Sequence, residues 1–346
     1  MTHDDFLAAF RGGVQLTADL PVTGPVVRRV YERISSGETA LWKALEPAWL
    51  RRHFATPRDA WLLLLNGFHY EALRRPDHAL TRFFPTTRGK PGPELAAAVD
   101  RQLDAPSEDL VRQLLERSRA VYLDFWSGLW LNPASYFFGR MRLPYIVAEA
   151  GTIGGLHAAA DLLSPQPGFD SKQVIARVGF DVQPLDFESP ADRAWLLGGV
   201  FPENTQHFAS VQAAVAKYRS LRKDDAPPVQ LVPCEPSLSA RAISKNVRPE
   251  PDLGLLVLTT WATQRMTPEE FAAFRTDMAA LMAEWGGRAL WLELAAAPDG
   301  RPTIDYRFAG HRLREGRLVS QVLARIEMGA AQPLTFDEAA NQAFLA

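Results

Sequence analysis

The chain has 346 residues, 47% hydrophobic and 23% charged, and its 38 Lys and Arg against 40 Asp and Glu leave a formal charge of −2. This is ordinary globular composition, long enough for one large domain or a core domain with a helical extension, and it excludes disordered, collagen-like and coiled-coil chains. The balance of charge, with no long block of one sign, gives no support to nucleic-acid binding, and a single cysteine, Cys234, excludes an intrachain disulfide or a multi-cysteine metal site. The first seventeen residues carry Asp4, Asp5 and Arg11 among their apolar ones and do not read as a secretory signal. The most apolar short run, Ala60 to Gly67, falls far short of the roughly 20 residues that cross a bilayer. A cytoplasmic protein away from membranes is expected.

From Phe6 to about Gly139 apolar residues recur at helical spacing. Val27, Val30, Tyr31 and Ile34 form one stripe, Leu62, Leu65, Phe68 and Leu73 a second, and Val111, Leu114, Leu115 and Val121 a third. Turn chemistry separates them at Ser35-Ser36-Gly37, at Pro76-Asp77 and from Thr86 to Pro93. Residues 1–142 are therefore expected to form a helical domain. From Leu143 onward short apolar runs alternate with helical segments, which predicts an α/β domain over 143–346 built on a mainly parallel sheet. The expected strands are Tyr145 to Ala150, Gln173 to Asp181, Val229 to Cys234, Leu253 to Thr260 and Ala289 to Leu294. The expected helices run from about Gly154 to Leu163, Pro190 to Leu197, Thr205 to Leu221 and Pro268 to Trp285. The last of these opens with Thr267-Pro268-Glu269-Glu270, a capping hydroxyl with a carboxylate three residues on, and Gly286-Gly287 stops it. Thr303 to Phe308 and Leu318 to Glu327 read as a closing antiparallel hairpin across a glycine-containing loop.

The segment Glu149-Ala150-Gly151-Thr152-Ile153-Gly154-Gly155-Leu156-His157 lies where the first strand turns into a helix. Glycines there let a ligand approach the backbone and the free N–H groups of a helix start. A tight turn packed against a neighbour is the alternative. An acid at the end of the next strand would hold a ribose hydroxyl pair; Asp181 lies 26 residues past Gly155, with Asp186 as its competitor. Glu235, in Pro233-Cys234-Glu235-Pro236, stands where it would accept from an adenine amine or would simply be solvated. Thr259-Thr260-Trp261 brings two hydroxyls and a ring to the crevice mouth, where they would contact bound molecules.

The carboxylate-and-glycine turn, the five strands and the hairpin resemble a class I S-adenosylmethionine-dependent methyltransferase. More closely, the chain resembles the bacterial family known as domain of unknown function 2332. The residues that carry this are Arg75-Pro76-Asp77-His78-Ala79-Leu80 with Phe84-Pro85, Glu149-Ala150-Gly151, Gly155-Leu156, and Arg177-Val178-Gly179-Phe180-Asp181 through Asp186. Asp192-Arg193-Ala194-Trp195-Leu196 and Phe201-Pro202-Glu203 complete it, over a span from about Arg28 to Phe308. The methyltransferase resemblance implies a cofactor site: Glu149, Gly151 and Gly155 at the methionine portion, Asp181 at the ribose and Glu235 at the adenine. Gly154 and Thr260 join this cofactor-binding set. Ile153 stands in the place of the turn's middle glycine, where a β-branched side chain is costly at positive φ, and Gly154 beside it supplies the freedom lost.

Seven histidines include no His-x-x-x-His pair, so no metal is expected. No Gly-x-Ser-x-Gly elbow and no phosphate-binding Gly-x-x-x-x-Gly-Lys loop is present. Tyr122 to Phe138 is dense in aromatic residues, as a lid over a planar or apolar substrate or as packing between the two halves. Were a general base needed, His157, Asp124 and Tyr136 are the candidates. The expectation is a Rossmann-like α/β methyltransferase sheet, five parallel strands with a C-terminal antiparallel hairpin, carrying an N-terminal helical domain. It would move a methyl group from S-adenosylmethionine to a small molecule, as monomer or homodimer. The second reading, motivated by Ile153, is a methyltransferase-like scaffold or regulatory subunit without catalysis. A Rossmann dehydrogenase ranks third, because Gly151, Gly154 and Gly155 do not space as Gly-x-Gly-x-x-Gly.

Overall fold

The computed structural model describes residues 2–52, 57–75, 77–78, 80–83, 93–118, 141, 143–151, 156, 159, 162, 171–222, 229–263, 266–296, 305–327, 334–336 and 338–345. They fall into two compact units: residues 1–127 with 185–216, and residues 128–184 with 217–346.

The first unit is helical. It contains α1 (His3–Leu16), α2 (Thr23–Ser35), α3 (Ala40–Trp49), α4 (Pro57–Arg74), α5 (Pro93–Asp104), α6 (Glu108–Glu116), α7 (Pro190–Leu197) and most of α8 (Thr205–Arg222). Their starts are set by short polar side chains that satisfy free N–H groups: Thr2 with Asp5 on α1, Thr39 on α3, Ser107 on α6 and Ser189 on α7. The apolar stripe of α2 buries Val26, Val27, Val30 and Ile34. Residues 60–72 of α4 are buried on every face, so the run Ala60 to Gly67 is a central core helix rather than a membrane segment. No helix among the described residues is long and apolar enough to cross a membrane.

Residues 185–216 join this unit through specific bonds. Asn66 donates to Trp195 O at 2.8 Å, and His69 Nδ1 donates to Gly198 O at 2.9 Å. Arg117 pairs with Asp192, and the Trp195 and Tyr70 rings lie 5.8 Å apart. Glu203 accepts from Val22 N, Thr23 N and Thr23 Oγ1 at 2.8, 2.6 and 2.8 Å, and so caps α2 with a carboxylate. The units therefore differ from the expected domains 1–142 and 143–346 chiefly in these residues, whose helical periodicity fits either unit.

The second unit is α/β and carries one mixed eight-stranded sheet in the order β3-β2-β1-β4-β5-β6-β7-β8. The strands are β1 (Tyr145–Ala150), β2 (Val174–Asp181), β3 (Gln230–Pro233), β4 (Gly254–Thr260), β5 (Ala289–Ala296), β6 (Asp305–Arg314), β7 (Arg317–Glu327) and β8 (Leu334–Phe336). β1 to β5 pair in parallel and β5 to β8 antiparallel. All seven residues of β4 are buried, as suits a central parallel strand whose residues 255–258 are an unbroken apolar run. Two helices, α9 (Ser239–Asn246) and α10 (Pro268–Glu284), contribute Ile243, Phe274, Met278, Leu281 and Met282 to a core with Val257 and Trp291. The start of α10 is the capping box seen in the sequence: Glu270 N donates to Thr267 Oγ1 at 3.2 Å and Thr267 N to Glu270 Oε2 at 2.8 Å.

The five expected parallel strands are present within a residue or two of their expected limits. The hairpin differs. Its strands extend until Arg314 pairs with Arg317 across a two-residue turn, Glu315-Gly316, with φ of 51° and 75°. Positive φ at both positions is the type I′ geometry whose twist matches that of the flanking strands, so pairing runs to the turn without a loop. β8 and α9 are additional to the sequence reading, being too short to show a period. The helix expected at 154–163 lies largely outside the described residues; within it, buried Leu156 and Ala159 are joined by a turn bond of 3.2 Å.

Candidate functional site

Strand order reverses between β1 and β4, because β1 is followed by β2 on one side while β4 lies on the other. In an open α/β sheet the crevice outside the strands' carboxyl ends at such a reversal is where ligands bind. Glu149 is the penultimate residue of β1 and Thr260 the last of β4, both 0% exposed, and Thr260 Oγ1 donates to Glu149 Oε1 at 3.2 Å. The next residue, Gly151, donates its N–H to Phe180 O at 3.2 Å. A Cβ on Gly151 would lie 2.1 Å from Glu149 Oε1 and 2.3 Å from Thr260 Oγ1. Only glycine leaves the Glu149 carboxylate room to fold back against the strand end. Trp261 then takes φ of 53° while donating its N–H to Leu294 O at 3.0 Å. A left-handed tryptophan costs on the order of 1–3 kcal/mol, and such strain gathers at functional sites.

Asp181 ends β2 and is buried. Its Oδ1 accepts from Gln183 N at 2.9 Å, and its carbonyl accepts from Cys234 N at 2.8 Å, which ties the end of β2 to the end of β3. Beyond it Glu235 is exposed, and its carbonyl accepts from Leu238 N and from the Cys234 thiol. Burial, with Glu235 adding to it, pushes that thiol's pKa up. The structure thus brings Glu149, Gly151 and Thr260 into contact and sets Asp181 and Glu235 at the adjoining strand ends of the same edge. Gly154, Gly155, His157, Asp124 and Tyr136 lie outside the described residues, as does the aromatic segment 122–138.

A second polar group was missed from sequence. On β5, β6 and β7 the side chains of Glu293, His311 and Ser320 form a chain. His311 Nε2 lies 3.3 Å from Glu293 Oε2, and His311 Nδ1 lies 2.7 Å from Ser320 Oγ. Trp291 stacks on the imidazole with ring centroids 3.9 Å apart, and its Nε1 donates to Thr259 Oγ1 at 2.8 Å. Burial lowers the His311 pKa and outweighs the opposing pull of Glu293. Burial alone would raise the Glu293 carboxyl, but hydrogen bonds from His311 and Thr263 hold it below its ordinary value. The pair is therefore carboxylate and neutral imidazole near pH 7. Because a carboxylate only accepts, Nε2 carries the imidazole proton and Nδ1 accepts from the Ser320 hydroxyl. Ser320 faces His311 directly across the hairpin, a pairing that the two-residue turn fixes and that no linear motif displays.

Among the described residues no three His, Cys, Asp or Glu are grouped to hold a metal ion. Residues 128–331 match the model of a family described as "Uncharacterized protein conserved in bacteria (DUF2332)", and the chain belongs to that family. The match contains the whole β1-to-β7 sheet and both polar groups, while the Arg75 to Pro85 motif precedes it. No curated protein matches the chain.

Proposed function

We propose that the chain is an S-adenosylmethionine-dependent methyltransferase acting on a small molecule. The observation that carries this is the contact of Glu149, Thr260 and Gly151 at the strand-order reversal, with a second carboxylate, Asp181, ending the neighbouring strand. The residues fit the group they would hold. Glu149, for whose carboxylate Gly151 leaves room, suits the charged amino acid end, Asp181 suits a ribose hydroxyl pair, and exposed Glu235 suits an exocyclic amine. When bound, the cofactor supplies an electrophilic methyl group on sulfur. The chain's task is then to align an acceptor behind that methyl and keep water out, so that positioning supplies most of the rate. The sheet is read as Rossmann-like on the strength of its 3-2-1-4-5 order, with the hairpin as a C-terminal addition. A half-buried cysteine with a raised thiol pKa suits a reducing, cytoplasmic setting.

The test is thermal unfolding with S-adenosylmethionine, S-adenosylhomocysteine and NAD. A shift with the first two alone is expected, about 2.7 kcal/mol of stabilisation at a hundredfold excess over Kd. Asp181→Asn keeps an oxygen for Gln183 N but replaces the ribose acceptor, and should weaken binding roughly 10- to 100-fold, the worth of a charged hydrogen bond. A shift with NAD alone would overturn the methyltransferase reading in favour of the dehydrogenase one. Complete burial of Glu149 and Thr260 favours a second reading, the methyltransferase-like scaffold, which the absence of any shift would select.

A further inference from the structure

We propose that Ser320 is a nucleophilic hydroxyl, activated by His311 and positioned through Glu293, that takes up an acyl group from an activated ester. Ser320 is exposed on β7, whereas the two groups behind it are 2% and 3% exposed. The outer member of the chain meets solvent while the proton acceptor is sealed from it. The imidazole cannot turn: Trp291 covers one face at 3.9 Å, and both nitrogens are engaged. Glu293 fixes the tautomer in which Nδ1 presents its lone pair to Ser320 Oγ. Arg275 on α10 and Arg307 on β6 are the other charges that act on this imidazole, and both oppose its protonation. Val322 follows Ser320 on the same face of β7 and is also exposed, so an apolar acyl chain has a surface to lie on.

The chemistry balances within these groups. Ser320 Oγ adds to the ester carbonyl as its proton passes to His311 Nδ1. The tetrahedral adduct then expels the alcohol, which leaves with that proton, and an ester to Ser320 Oγ remains. Glu293 stays a carboxylate throughout and steadies the imidazolium.

The experiment exposes the full-length protein to p-nitrophenyl butyrate and, separately, to an alkyl fluorophosphonate, with intact mass and peptide mapping as readouts. One adduct on Ser320 is expected, absent in Ser320→Ala. Glu293→Gln should slow adduct formation by about 100-fold or more. In a Cys234→Ser background, Ser320→Cys should show iodoacetamide alkylation with a thiol midpoint below the ordinary ~8.5. No adduct on Ser320, or an unchanged rate in Glu293→Gln, overturns the proposal. If Glu293→Gln does not fold, the thiol midpoint decides, and a value at ~8.5 overturns it. None of these readouts involves S-adenosylmethionine, so the outcome is independent of the cofactor site.

Discussion

Two histidines of the helical unit are held neutral by burial, and this gives the protein a calculable sensitivity to acid. Desolvation pushes His69 and His207 down to about 4, for His69 against the opposing effects of the Gly198 carbonyl and the Glu203 charge. In the unfolded chain both titrate near their ordinary value of about 6.5. Above that pH neither state carries the extra protons and the stability is fully present. Below it the unfolded state binds protons first, so stability falls progressively as pH drops from about 6.5 towards 4. The slope should reach about 1.4 kcal/mol per pH unit for each histidine, measurable as urea unfolding free energy at pH 7, 6, 5 and 4.5. His207→Leu should remove one proton's worth of that slope. An unchanged slope would mean that His207 already protonates normally in the folded protein. His69, on a helix whose apolar stripe includes Leu62, Leu65 and Phe68, reads as packing already in the sequence. His207 does not, since it sits in a first turn whose cap, Asn204, resembles any surface cap.

Elements were legible wherever one local signal sufficed. The start of α10 was such a case, with Thr267, Pro268 and Glu270 at capping spacing, and both reciprocal bonds are present. Thr267→Ala should cost about 1 kcal/mol, seen as a fall in Tm of roughly 1–2 °C, while Glu270→Gln, which retains the box geometry, should cost less. Equal losses from the two would assign the effect to charge at the helix start instead. The parallel strands were equally plain, since residues 255–258 are an unbroken apolar run. The hairpin was not. Its inner halves, His311-Arg312-Leu313-Arg314 and Arg317-Leu318-Val319-Ser320, mix charge with apolar residues, and Glu315-Gly316 is not among the strongest turn dipeptides. Without that turn the register was unknown, and without the register nothing in the sequence brought His311 to Ser320. The places of Glu149, Gly151 and Asp181 in the fold were legible for the opposite reason, because each lies at or next to the end of a strand whose limits the apolar run defines.

At the scale of the whole chain, the path matters more than the composition of either half. The chain passes from the helical unit to the α/β unit, back for residues 185–216, and out again. A cut at 142 looks natural in sequence, where the period changes, but it strips α7, Glu203 and the Asp192 partner of Arg117 from the helical unit. Tyr70, Asn66 and His69 would then lose the partners they meet at Trp195 and Gly198. A fragment of residues 1–142 should therefore unfold without a sharp transition, whereas the full chain unfolds cooperatively. Circular dichroism against temperature distinguishes the two, and a sharp transition in the fragment would show that residues 185–216 are dispensable to the helices.

That return has a consequence in time as well as in space. A chain made from its N-terminus completes α6 early, yet the segment that caps α2 and supplies Trp195 emerges only after roughly 90 further residues have been joined. At a synthesis rate of about 5–20 residues per second, that is an interval of roughly 4–18 seconds. During it the flank of α4 that meets Trp195 and Gly198 stands uncovered beside the ribosome. Newly made protein should therefore pass through a window in which chaperones bind its first half, and the window should close when residue 216 clears the exit tunnel.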